Sequence, residues 1–211
     1  MTIKRLLSVA LIPAALLGGA TAWISSDLVP VRYVVAPSGN EARFKVREQL
    51  VGVNLPNDAV GITQKVTGSI VIGDNGQPVP AESKIVVDVS DLKTDVTMRD
   101  GFIKRNTLQT EQYPNVEFVP TSFRGLTGPL PTSGTRNFDL VGNLKIKDQT
   151  RVIVWHVTAE FRPGRVTGSA VTRFNFADFG MDPPKAGRVL AVSNGVGLEY
   201  DFNLVAGTPA S

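Results

Sequence analysis

"VIVWHVTAEF", residues 152–161, alternates for its whole length. Ile153, Trp155, Val157, Ala159 and Phe161 fall on one side, and the other side includes His156, Thr158 and Glu160. A period of two is that of a β-strand with one face buried, whereas a helix would scatter the same five residues around its axis. The pattern recurs in "FDLVGNLKI" (138–146), where Phe138, Leu140, Leu144 and Ile146 oppose Asp139, Asn143 and Lys145. It recurs again in "GVGLEYDFNL" (195–204), where Val196, Leu198, Tyr200, Phe202 and Leu204 oppose Glu199, Asp201 and Asn203. Shorter runs obey the same rule. Phe44 and Val46 oppose Arg43, Lys45 and Arg47, while Ile85, Val87 and Val89 oppose Lys84, Asp88 and Ser90. "TGSIVIG", "VEFVPTSF" and "SAVTRFNF" add further strands.

Between these runs lie "GDNGQP", "LTGPLPTSGT", "KDQT" and "RPGR", short connections of the kind that join antiparallel neighbours. The chain therefore reads as an all-β meander of about eight strands, apolar on one face and wet on the other. Such a face must be covered. An eight-stranded antiparallel barrel covers it by closing on itself, with an interior about wide enough for side chains or one small ligand. A two-sheet sandwich satisfies the same periodicity.

Composition narrows the function classes. The 211 residues include no cysteine and one histidine, which excludes disulfides and thiolate metal sites. Hydrophobic residues make up 42% and charged residues 19%, an ordinary globular balance. Residues 1–22 stand apart. Lys4 and Arg5 precede the apolar run "LLSVALIPAALLGG", which ends in "ATA" with Ala20 and Ala22 at the cleavage positions. This order is that of a signal peptide. Residues 6–24 also approach the length of an uncleaved membrane anchor, although Pro13 and Gly18-Gly19 weaken a long helix there. Either reading places the domain outside the cytoplasm, periplasmic or extracellular. With Lys4 and Arg5 removed, 20 basic residues face 19 acidic ones, and no basic stripe with interleaved aromatics suggests a nucleic-acid partner. A tether (23–31), a barrel domain (32–205) and a tail (206–211) complete the expected organisation.

One stretch departs from the strand pattern. In "RDGFIKRNTLQTEQYPNVEF" (99–118) a charged pair, an apolar helical spacing and a Tyr-Pro breaker lead into a strand. Thr97 to Asp100 reads as a capping-box-like helix start, and Phe102, Ile103 and Leu108 give two or three turns an apolar side. One short helix of this kind would plug or flank the barrel.

The whole segment "DVSDLKTDVTMRDGFIKRNTLQTEQYPNVEF", the Gly142 strand with its "IKDQT" turn into "VIVWHV", and the later "TRFNFADFGM" resemble the YceI-like family of lipid- or polyisoprenoid-binding domains. The order of Arg99-Asp100, Tyr113-Pro114 with Phe118, and Asp178-Phe179-Gly180 carries the resemblance. It implies a lipocalin-like barrel with a long apolar cavity, usually in exported proteins, with no established catalysis and no cofactor. The departure is at "REQLVGVNLPNDAVGITQK" (47–65), where many relatives have a shorter, histidine-containing strand.

The residues themselves argue against a reaction centre. Arg99 and Asp100 are adjacent on a helix start and point about 100° apart. Asp100 suits the helix N-terminus, and Arg99 is placed to fasten the helix to the barrel. His156 lies on the polar outer face. Asp88, Asp91 and Asp95 lack the glycine and terminal bidentate acid of a calcium hand. Asp178-Phe179-Gly180 reads as a turn carrying an aromatic plug. The inner face of Phe44, Val87, Leu140, Leu144, Trp155, Val157, Phe174, Leu198, Tyr200 and Phe202 has two readings, a filled core or the lining of a lipid cavity. The resemblance favours the cavity, and inward small residues such as Gly142 and Ala159 would leave volume in it. Three functions follow: an exported, non-catalytic carrier of a long isoprenoid or other apolar lipid, an enzyme acting on such a lipid, or a ligand-free envelope domain. Cleavage after Ala22 predicts that intact mass from the native host begins at Trp23; a membrane-bound product retaining residues 1–22 would establish the anchor instead.

Overall fold

The computed structural model describes residues 30–52, 54–185 and 189–207. The expected export segment (1–22), residues 23–29 of the tether and residues 208–211 of the tail lie outside the described residues.

The strands are β1 (Val31–Val35), β2 (Glu41–Leu50), β3 (Asn57–Thr63), β4 (Val66–Ile72), β5 (Lys84–Asp88), β6 (Asn115–Arg124), β7 (Gly134–Ile146), β8 (Gln149–Arg162), β9 (Arg165–Asn175) and β10 (Val189–Ala206). β2 pairs with β3 and β1 pairs with β4, so β1–β2 and β3–β4 are two in-line strands of one long, bent hairpin. Ten strands thus fill eight positions. Every position pairs antiparallel with its neighbour in sequence, and β10 returns to pair with both β2 and β1. The result is a closed eight-stranded antiparallel barrel with one short helix. The sandwich is excluded by the β1–β10 pairing, which leaves no gap between two sheets.

β10 bridges the bend of the first position. Asp201 is opposite Glu41 and Leu204 is opposite Val35. The intervening loop is held by Asn40, whose Nδ2 donates to the Ala36 carbonyl (2.8 Å) and whose Oδ1 accepts from the Tyr200 hydroxyl (2.9 Å) and the Asn203 N–H (3.0 Å). Gly39, at φ +80°, supplies the left-handed turn. Buried without these bonds, the amide would cost free energy; with them it ties the loop between β1 and β2 to β10.

Strand direction gives the barrel two unlike ends. At one lie the end of β2 and the start of β3, the segment between β5 and β6 that carries the helix, the β7–β8 turn and the segment from Phe176 to Lys185. At the other lie the β6–β7 loop, the β8–β9 turn and both ends of the described chain, where the Gly207 N–H donates to the Arg32 carbonyl at 2.8 Å. Outside, Arg43 meets Glu41, Glu199 and Asp201, and His156 Nδ1 lies 2.8 Å from Asp139 Oδ1 with both side chains exposed.

The small inward residues correct the sequence reading. Gly142 leaves no volume, because a Cβ there would stand 2.5 Å from the Phe118 ring and 2.5 Å from the Val119 carbonyl oxygen. Ala159 is wholly buried, and its neighbour Gly168 admits the edge of the Phe202 ring. Gly142 and Gly168 are sockets for aromatic rings, the close-packing solution where a ring must lie against a strand. Gly142→Ala should therefore destabilise the barrel by about 1–3 kcal/mol through overpacking, measured as a lower urea midpoint at an unchanged slope.

Candidate functional site

A cavity of about 880 Å³ runs inside the barrel, within the size range of small-molecule sites. All eight positions contribute to its wall, from Tyr33 and Phe44 on the first to Leu198 and Phe202 on the last, and the wall is overwhelmingly apolar. All ten side chains singled out from alternation line it: Phe44, Val87, Leu140, Leu144, Trp155, Val157, Phe174, Leu198, Tyr200 and Phe202. Phe118 and Trp155 pack edge-to-face with centroids 6.0 Å apart, and Phe174 packs against Phe179 at 4.7 Å. Such edge-to-face pairs stiffen the wall. At the chain-terminus end, Leu126 and Leu130 of the β6–β7 loop pack against the core.

The opening lies at the other end, where Val51, Val96 and Met98 line the cavity yet remain 48%, 42% and 80% exposed. A lid crosses this mouth. Helix α1 (Thr97–Phe102) runs into a π-helical stretch (Ile103–Leu108) that ends at Gln109 with φ +54°. Phe102, Ile103 and Leu108 of the lid face the cavity. The capping box expected at Thr97 is not the one formed. Val96 is the cap residue and makes no side-chain cap bond, while Asp100 Oδ1 accepts from the Thr94 N–H (2.7 Å) and Thr94 Oγ1 (2.6 Å), one turn further back. Thr94 precedes the helix and turns its N–H and hydroxyl toward the carboxylate, whereas Thr97 is already in the first turn.

Arg99 fastens the lid to the wall. Its Nη2 donates to Glu48 Oε1 at 2.6 Å, and its Nη1 bonds Asp95. The Glu48 side chain is 5% exposed and that of Arg99 16%. Glu48 Oε1 also accepts from Asn57 Nδ2 on the paired strand. Two half-buried phenols also line the cavity. Burial pushes the Tyr200 hydroxyl well above its ordinary range, and that of Tyr33 upward as well.

The match to known proteins follows the same boundaries. The YceI-like domain family matches residues 33–204. The chain belongs to the YceI-like family. Among solved structures it is similar to a polyisoprenoid-binding domain from Saccharophagus degradans implicated in plant cell wall breakdown, with TM-score 0.63 and 12% identity, covering 83% of this chain and 98% of that one. It is also similar to BcnA of Burkholderia cenocepacia, with TM-score 0.57 and 18% identity over 82% of this chain and 99% of that one. The Campylobacter jejuni YceI protein aligns with TM-score 0.53 and 13% identity over 70% of this chain and 84% of that one. No curated protein sequence matches the chain. At these identities the solved structures share the fold.

Within this YceI-like domain the remaining motif residues serve architecture. The Pro114 carbonyl accepts from the Val89 N–H, and the Tyr113 N–H donates to Gln109, which ties the end of the lid to the start of β6. Asp178 Oδ2 accepts from the Asn175 N–H at 2.7 Å, and Gly180 takes φ +61° to end that turn, so Phe179 is plugged into the core at 1% exposure. Asp88 is bonded to Ser90 and Asp95 to Arg99.

Sequence reasoning missed Glu48, although its parity was visible. Phe44, Val46 and Glu48 are two apart, so a carboxylate on the inward face signalled a partner from elsewhere. It also missed Tyr33, Phe123 and Met181, which lie on runs too short or irregular to show a period. Arg99→Met leaves Glu48 buried without its cation and should cost about 3–5 kcal/mol in urea unfolding. Asp95→Asn removes only the exposed partner and should cost less than about 1 kcal/mol.

Proposed function

We propose that this YceI-like protein is an exported, non-catalytic carrier that holds one long apolar lipid, of the polyisoprenoid class, along the barrel axis. The observation that carries this reading is the cavity itself, about 880 Å³ of apolar space inside a closed barrel. A wall of this composition offers a chain nothing but burial, which is non-directional and grows with chain length. Each methylene buried contributes about 0.8 kcal/mol, so ten to fifteen give roughly 8–12 kcal/mol. Association costs of at least about 4 kcal/mol leave at most about 4–8 kcal/mol, which places the affinity at micromolar order at the tightest. The polyisoprenoid-binding domain from Saccharophagus degradans shares the fold and supports the choice of chain. Export rests on the pattern of residues 1–22. The charged groups a reaction would need are engaged elsewhere: Arg99 and Asp100 hold the lid, and His156 faces outward against Asp139.

Lipids extracted from natively purified protein should contain a prenyl lipid at one per chain by mass spectrometry. Titration with a long prenol should change Trp155 emission, and Val157→Asp should abolish that change at some cost in stability, since it strands a charge in the wall. His156→Ala, on the outer face, should bind as the parent does. Protein that is empty as purified and silent to every long-chain lipid would defeat the carrier reading.

A further inference from the structure

We propose that the mouth selects lipids with an uncharged head, and that Glu48 imposes the selection; this rests on the lipid-carrier reading above. A lipid held along the axis leaves its head at the lid end, because that is where the lining side chains reach solvent. The charge the head meets there is not a free cation. Arg99 is shared between Glu48 and Asp95, so the cluster carries two carboxylates for one guanidinium. Glu48 is the buried member, so its field is screened least by water and salt.

The other charged side chains bordering the cavity do not reverse this. Arg43 is engaged by Glu199 and Asp201 on the outer face. Arg105 borders the mouth but is exposed, where an ion pair with a ligand is screened and worth little. An anionic head must therefore either face Glu48 at close range or displace it from Arg99 and leave a buried carboxylate unpaired. A hydroxyl or carbonyl head meets neither obstacle. It can accept from a guanidinium N–H not used by the two carboxylates, and a hydroxyl can also donate to a Glu48 oxygen, because a carboxylate has about four lone-pair sites and guanidinium five donors. The sequence departs from the family's common pattern at this same strand, so the discrimination belongs to this chain's own mouth rather than to the shared barrel.

The test compares two ligands with one chain and different heads, geranylgeraniol and geranylgeranyl phosphate, titrated into the full protein with Trp155 emission as the readout. The phosphate should bind at least about tenfold more weakly. In Glu48→Gln the gap should close to within about threefold, through tighter binding of the phosphate. Asp95→Asn, which leaves the buried pair intact, should narrow the gap in the same direction by less, and it carries the test if Glu48→Gln fails to fold. A phosphate that binds the parent as tightly as the alcohol, or a gap unchanged in both variants, overturns the inference while leaving the carrier reading standing. If neither ligand binds, the carrier reading falls and this inference with it.

Discussion

The barrel depends on one long strand holding two short ones. β10 spans Val189–Ala206 and carries β2 and then β1 along a single edge, so the first position of the sheet, bent in the middle, still closes against the last. Among the described strands closure leaves one outer edge, that of β3, which Lys93 meets at Ile62, and removes the other unpaired N–H and C=O groups that would invite aggregation. Asn40 makes the bend tolerable, since its amide reaches two carbonyls of the loop and two donors of β10. Inward-facing residues then line a tube, and the buried charge among them, Glu48, is compensated by Arg99.

Within that tube, packing and emptiness are divided between different residues. Where a ring lies against a strand, a glycine receives it, as Phe118 over Gly142 and Phe202 against Gly168. Elsewhere aromatic and aliphatic side chains stand around a cavity they do not fill. The lid is held differently. A buried ion pair adds little net stability over an apolar contact of the same size, because desolvation offsets attraction, yet breaking it by halves is costly. The Glu48–Arg99 pair thus fixes where the lid sits more than how stable the fold is.

The fold was legible because alternation was clean in the long strands. Run 152–161 predicted its own inward face, and Ile153, Trp155, Val157, Ala159 and Phe161 are all buried. The cavity wall was legible for the same reason. What alternation could not tell was whether inward volume is filled, since a glycine opposite a phenylalanine and a glycine opposite nothing look alike in sequence. The helix start was legible to within one residue, but the partner of Asp100 was not, because Thr94 and Thr97 lie on either side of the cap and only the chain's path chooses between them. Glu48 was overlooked because its partner lies 51 positions away on another element.

Both ends of the described chain lie at the floor of the tube, with the Gly207 N–H on the Arg32 carbonyl, while the lid lies at the opposite end. The points of attachment for a tag, a surface linker or a second domain are therefore at the floor, opposite the entrance. The two ends are also close enough to be spliced to one another, so the strands form a ring that is nearly continuous along the backbone as well as through its hydrogen bonds.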